Sequence, residues 1–157
     1  AFRAQKKYED EVYEEGLRYI EYADKNGLTI AVLSGRPYHI DPEINHGINQ
    51  LIASCEMAVI TEDVAARLAE VPQVNVLNQW TYHSRMYASA EYVKNKQNAQ
   101  LIQLVSFGCG IDSITSDEIR SIVEESGKIY TQLKIDEINN LGAARIRIRS
   151  LKAAIDR

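Results

Sequence analysis

The sequence predicts an α/β protein: a three-layer, Rossmann-like open sheet of about four parallel strands with helices on both faces. Short apolar runs bounded by glycine, such as residues 28–34, alternate along the chain with longer amphipathic stretches. Apolar residues at successive positions are typical of parallel strands that are covered on both faces. Strands that alternate with helices favour right-handed crossover connections, and we expect the first strand near the centre of the sheet.

The individual elements follow from helical or strand spacing and from local start and stop signals. Asn26-Gly27 ends the first helix, and Asp41 caps a helix that has Pro42 at its first position. Residues 74–77 stay open between strand and loop. In chain order we predict an amphipathic helix over 1–26, a strand over 28–34, a helix from Pro42 to about Ser54, a strand over 57–61, a short helix over 62–70, a helix over 80–97, a strand from 101 that ends near Cys109, a helix begun by the capping box Thr115-x-x-Glu118, a strand over 128–135 and a helix from about Asn140.

Length and charge limit the classes of function. The 157 residues suit a single α/β domain over 1–157 with a core of its own. The net charge of −4 predicts no nucleic-acid partner, and no stretch resembles a membrane span or a signal peptide, so we expect a cytoplasmic protein. The chain starts at Ala1 without methionine, directly on helical sequence, which predicts a fragment of a longer protein.

Cys109 is the first candidate for chemistry. Gly108 and Gly110 flank it where a buried-type strand ends, so the backbone can turn and present the thiol at the carboxyl end of the sheet. The alternative is a small buried hydrophobic residue, a common role for free cysteine. Cys55 is the other cysteine, and without C-x-x-C spacing the two cannot complete a four-thiolate metal site.

Three loops should meet at the same edge of the sheet: 35–41, 108–113 and 136–140. Arg36, Tyr38 and His39 precede a helix, whose free N–H groups favour an anion, and Asn140 in the third loop joins these candidate substrate- or anion-binding residues. His39 is an acid, base or ligand in one interpretation and an ordinary hydrogen-bonding residue in the other. No phosphate-loop motif accompanies them, no nucleophile has an evident base partner, and His46 and His83 fall within helix patterns that indicate structural roles.

Three stretches together resemble a known family: GRPYHIDPEINHG at 35–47, VSFGCGID at 105–112 and LKIDEINNLGAARIRIRSL at 133–151. They are similar to the carboxyl-terminal region of the large 2-hydroxyacyl-CoA dehydratase activase-like proteins, relatives of the dehydratase subunits and of double-cubane-cluster reductases. The resemblance covers most of residues 28–154 and depends on three motifs in the same order.

The resemblance implies a lobe of an iron–sulfur-dependent system that transfers low-potential electrons to act on acyl-CoA substrates. In such proteins cysteines from neighbouring lobes hold a [4Fe–4S] cluster, and Cys109 matches a cluster cysteine whereas Cys55 does not. The expected partners are the remaining domains of the polypeptide or a dehydratase subunit, together with an acyl-CoA ligand. The ATPase half of an activase is missing here, so we expect no activity from the fragment alone and no cluster in it when it is isolated in air.

A second hypothesis belongs to a different class of function. In it the chain is a Rossmann-like binding or assembly module that holds an acyl-CoA or a protein partner and has no redox centre of its own.

Overall fold

A computed structural model describes residues 1–106, 108–135 and 141–156. In chain order its elements are α1 Phe2–Asn26, β1 Thr29–Ser34, α2 Pro42–Asn45, α3 Ile48–Ala53, β2 Met57–Thr61, α4 Glu62–Ala65, α5 Thr81–Asn95, β3 Ala99–Val105, α6 Gly110–Glu124, β4 Thr131–Lys134 and α7 Gly142–Ile155, with short 3₁₀ turns at Pro37–Ile40 and Ala66–Leu68. None of the helices in these ranges has the length and apolar character needed to cross a bilayer.

The four strands form one parallel sheet in the order β2-β1-β3-β4. Ala31 in the middle of β1 lies opposite Val59 of β2 on one side and Gln100 of β3 on the other. The predicted α/β fold and the interior position of the first strand are therefore confirmed.

Helices cover both faces of the sheet because successive side chains of each strand point in opposite directions. Ile30 and Val32 of β1 belong to a core formed with α1, α4, α5 and α6. Ala31 and Leu33 belong to a second core, formed with α3 and α7. Every side chain of β1 from Ile30 onward is buried, as the continuous apolar run in the sequence predicts.

The direction of the connections reverses between β1 and β3. From β1 the chain passes to β2 on one side, whereas from β3 it passes to β4 on the other side. The loops that follow β1 and β3 therefore leave the sheet in opposite directions and leave a crevice between the carboxyl ends of these two strands. Open α/β sheets bind their ligands at such a switch point.

Several predicted boundaries differ from the structure. The strand expected to end near Cys109 ends at Val105, and the helix expected over 62–70 is α-helical only to Ala65. The helix expected from Pro42 to Ser54 is interrupted at His46 and Gly47, which have left-handed φ values of 53° and 80° and divide it into α2 and α3. The capping box at Thr115 is wrong, because α6 already begins at Gly110 and the Thr115 hydroxyl donates to the carbonyl of Ile111 inside the helix. Residues 74–77, left open by the sequence, form no regular element.

The α1 helix is held close to α4 at Gly16. A Cβ at Gly16 would lie 2.4 Å from Cγ1 of Val64, a side chain that is itself buried. We expect Gly16→Ala to lower the free energy of unfolding by about 1–3 kcal/mol, because overpacking at this contact outweighs the better helix propensity of alanine. Urea denaturation followed by circular dichroism measures the change.

The matched control is the same substitution in a Val64→Ala background. Removing the valine methyl groups makes room for the new Cβ, so the added cost of Gly16→Ala should be clearly smaller there. Equal costs in both backgrounds would show that the contact with Val64 does not limit this position.

Candidate functional site

The loops that follow β1 and β3 meet at the switch point. The Arg36 Nη2 atom lies 2.5 Å from Oδ1 of Asp112 and 3.9 Å from Sγ of Cys109. Both side chains of the ion pair are largely shielded from solvent, at 27% and 13% exposure. We call the six residues gathered here the switch-point cluster: Arg36, Tyr38, His39, Ser106, Cys109 and Asp112.

Cys109 is the N-cap residue of α6. Its backbone is extended, and its Sγ accepts a hydrogen bond from the backbone N–H of Asp112 at 3.4 Å. The thiol is half-buried, and among the described residues nothing beyond the chain neighbours and the backbone of α6 itself lies within 4 Å of a Cβ placed at Gly108 or Gly110. The sulfur therefore lies at the positive end of a fifteen-residue helix and faces a guanidinium group.

His39 joins the two loops through both of its ring nitrogens. The backbone N–H of Arg36 donates to Nδ1 at 3.0 Å, which leaves the proton on Nε2, and Nε2 donates to Oγ of Ser106 at 3.0 Å. The Tyr38 hydroxyl shares a 2.9 Å hydrogen bond with the same Oγ. The loop after β1 is thus hydrogen-bonded at two points to the end of β3.

The position of His39 is tightly determined by its surroundings. The side chain is 3% exposed, and the backbone carbonyl of His39 accepts a hydrogen bond from Nδ2 of Asn45 at 3.1 Å. A Cβ at Gly35 would lie 2.5 Å from Nδ1 of His39, so the close approach of this backbone requires glycine. The close contact with the His39 ring therefore explains why the sequence pattern G-R-P-Y-H begins with glycine.

Burial, reinforced by the positive charge of Arg36, lowers the pKa of His39 to about 4. The imidazole is accordingly neutral at pH 7, and both ring nitrogens are already engaged. Of the two interpretations of His39 that the sequence allowed, the geometry favours the hydrogen-bonding residue over the acid or base. Arg36 carries the charge that faces Cys109, and Asp112 pairs with Arg36.

A second ionic pair lies at the same edge of the sheet, where β2 ends. Glu62 is the first residue of α4, is 3% exposed and accepts a hydrogen bond from Arg85 of α5. Burial raises the pKa of Glu62 to about 7, although the charge of Arg85 opposes the shift. Sequence reasoning missed this pair because nothing in the pattern around either residue predicts which helix lies opposite.

The predicted site residues are only partly brought together. Arg36, Tyr38, His39 and Cys109 lie in one cluster, whereas Asn140 lies outside the described residues. Ser106 and Asp112 were not predicted, although both stand within the 105–112 motif at the end of a strand and in the first turn of a helix.

The two cysteines lie at opposite edges of the sheet. Cys55 precedes β2 at the amino edge and packs against the core formed with α3 and α7, whereas Cys109 follows β3 at the carboxyl edge. Within the described part of the chain, no group of three or more His, Cys, Asp or Glu residues is arranged to hold a metal ion. Any cluster bound at Cys109 would need ligands from elsewhere.

The neutral state of His39 makes stability depend on pH. In the unfolded chain histidine takes up a proton near pH 6.5, whereas folded His39 does so only near pH 4. The stability due to this difference is present above pH 6.5 and is lost as the pH falls toward 4, by about 1.4 kcal/mol per pH unit and about 3 kcal/mol in all. We expect His39→Gln to remove this part of the slope of unfolding free energy against pH, measured by urea denaturation from pH 4 to pH 8.

His46→Gln is the matched control, because His46 is exposed, and it should keep the slope of the unsubstituted chain. Glu62 is unchanged in all three proteins, so its own titration cancels in the comparison. A slope in His39→Gln identical to that of the control would contradict a neutral buried imidazole.

Comparison with known families reaches the amino-terminal part of the chain. Residues 1–65, which run from α1 to the end of α4 and include Arg36, Tyr38 and His39, match a family model described as CoA enzyme activase uncharacterised domain. No curated protein and no solved structure matches the chain. Residues 1–65 thus fit a region of activase-like proteins, the group that the sequence motifs resemble.

Proposed function

We propose that this chain is a lobe of an iron–sulfur-dependent protein of the 2-hydroxyacyl-CoA dehydratase or activase type and takes part in low-potential electron transfer. Cys109 supplies one thiolate ligand of a [4Fe–4S] cluster in this proposal. The observation that supports it most directly is the place of the sulfur: half-buried, at the switch point and at the amino end of α6. The match of residues 1–65 to a CoA enzyme activase domain supports the family context.

The surroundings of Cys109 suit a cluster ligand. A thiolate that binds iron carries negative charge, and here the N–H of Asp112 and the guanidinium of Arg36 both approach the sulfur. Among the described residues, none crowds Gly108 or Gly110, which suits a bulky inorganic group that is shared with another lobe. When bound, such a cluster supplies reversible one-electron chemistry, and hydrogen bonds to its sulfur atoms are one of the factors that set its potential.

Five residues of the switch-point cluster have a defined part in this proposal. Cys109 binds, and Arg36 holds positive charge beside it while Asp112 orients the guanidinium. His39, through Ser106, fixes the backbone that carries Arg36. His39 and Ser106 are positioning residues, since they act on the sulfur only through Arg36 and the end of β3.

The remaining cluster ligands come from other domains of the same polypeptide or from a dehydratase subunit, because the described residues place no further thiol at this edge. In this proposal the full-length protein is cytoplasmic, and the 157-residue chain by itself is not an active enzyme.

A second candidate function is favoured by the hydrogen-bond donors at the same site. Asp112 balances the charge of Arg36, but the guanidinium and the amino end of α6 lie side by side, and such donors suit the phosphates of an acyl-CoA or an acidic group of a protein partner. In this alternative the chain is a binding or assembly module without a redox centre, and Cys109 is a packing residue.

Iron analysis of the full-length protein, purified without oxygen, distinguishes the two functions. We expect Cys109→Ser to fold normally and to lose most of its iron and acid-labile sulfide, because serine keeps the size of the side chain but is a much poorer ligand for iron. Iron and sulfide per chain, together with visible absorbance and electron paramagnetic resonance, are the measurements.

Cys55→Ser is the control, since that cysteine lies at the other edge of the sheet, and its iron content should equal that of the unsubstituted protein. If Cys109→Ser retains its full iron and sulfide, the electron-transfer proposal is wrong for this chain. In that case acyl-CoA binding that is lost in Arg36→Met but kept in Cys109→Ser would support the binding module.

A further inference from the structure

A cavity of about 200 Å³ lies beside the switch-point cluster, between the 76–80 segment, the first turns of α5 and the first turns of α6. We call it the His83 cavity. Its wall is mostly apolar, with four residues that are also partly exposed at its mouth: Leu77, Trp80, Ile111 and Ile114. It reaches the switch-point cluster through α6, because Ile111 is adjacent to Asp112 in sequence and both stand in the first turn of that helix.

His83 lies in the wall of this cavity, and its ring nitrogens are accessible to solvent instead of being sealed in the core. The residue is 8% exposed, and among the described residues its ring nitrogens have no hydrogen-bond partner. Its ring contacts that of Trp80 edge to face, with the ring centres 5.4 Å apart. Because these unpaired nitrogens are accessible, a molecule in the cavity can form hydrogen bonds with them in place of water.

Two other polar side chains of the wall make hydrogen bonds within the protein. Oδ1 of Asn78 accepts a hydrogen bond from the Ser84 hydroxyl at 2.8 Å, and the Thr115 hydroxyl donates to the carbonyl of Ile111 at 2.9 Å. The Tyr87 hydroxyl interacts with Thr115, and the Trp80 indole N–H and the Asn78 amide nitrogen can only donate. We therefore take His83, whose ring can both donate and accept, as the residue that recognises the polar group of a bound molecule.

Burial, together with the nearby charge of Arg36, lowers the pKa of His83, so the imidazole is neutral at pH 7. A neutral imidazole offers one N–H donor and one acceptor nitrogen, and it recognises an uncharged hydroxyl or carbonyl group. The size of the cavity sets the rest of the ligand, since an apolar cavity of about 150 Å³ accepts a benzene ring.

We propose that the His83 cavity binds a small molecule with an apolar body, of the size of one aromatic ring or a short branched chain, whose single neutral hydroxyl or carbonyl group hydrogen-bonds to His83. The site is separate from the thiol of Cys109 and needs no iron. A molecule bound there lies next to the Arg36–Asp112 pair and so adjoins the switch point.

Trp80 makes the site directly measurable, because it is the one tryptophan of the chain and stands in the cavity wall. We expect phenol to change the fluorescence of Trp80 saturably and to shift the methyl resonances of Ile111 and Ile114. Toluene has the same shape without the hydroxyl and should bind about tenfold more weakly, since it leaves His83 unpaired.

His83→Leu should reverse this preference. With an apolar side chain in place of the imidazole, phenol should bind about tenfold more weakly than to the unsubstituted chain, while toluene should bind at least as well as before. His46→Asn, which removes an exposed histidine and keeps a residue type that tolerates its left-handed backbone, should leave both titrations unchanged.

The unsubstituted chain alone can overturn the proposal, even if His83→Leu does not fold. Equal affinities for phenol and toluene, or methyl shifts spread over the surface instead of confined to Ile111 and Ile114, would show that His83 recognises no ligand there. Neither result bears on the iron content of Cys109→Ser, so failure of this proposal and failure of the proposed function are separately detectable.

Discussion

The reversal of strand order between β1 and β3 is the constraint on which the candidate site depends. The two strands are far apart in sequence, yet they pair in parallel with Ser34 opposite Gln103, so their carboxyl ends lie side by side. Because the chain then leaves them in opposite directions, no crossover covers the space between the two loops. Arg36 and Cys109 can face each other only as a consequence of this pairing.

His39 connects the two adjacent loops by hydrogen bonds. Loops are ordinarily the most mobile parts of an α/β protein, but this one is hydrogen-bonded through Nδ1 to its own backbone and through Nε2 to Ser106. The neutral imidazole adds no charge, so the electrostatics at the thiol come from the Arg36–Asp112 pair and the amino end of α6. The same pair lies next to the His83 cavity. Cys109, the candidate iron ligand, and this candidate binding pocket therefore lie at the same edge of the sheet.

The sequence predictions succeeded chiefly where the structure depends on residues close together in the chain, and they failed chiefly where it depends on residues far apart in the chain. The predicted bounds of strands β1 and β2 agree with the structure to within one residue. Short continuous apolar runs bounded by glycine or by a turn form few structures other than a buried strand. The start of α6 was misplaced because the motif T-x-x-E also occurs inside helices, whereas the cap that forms depends on Cys109 and the N–H of Asp112. His83 fits a helix pattern as predicted, but its missing hydrogen bond depends on residues brought together from α5, α6 and the 76–80 segment.

The sequence by itself determined the fold class, the central place of the first strand, the edge at which Arg36, Tyr38, His39 and Cys109 stand, and the resemblance to activase-like proteins. These properties follow from hydrophobic periodicity, glycine positions and short motifs, all of which are local in the chain. Only the tertiary structure decided that Arg36 pairs with Asp112 and that Glu62 is buried against Arg85. It also decided that His39 is a neutral residue hydrogen-bonded to Ser106. The physical reason is that burial and charge pairing depend on the order of the strands and on the helices packed over them, and neither is encoded by any single segment.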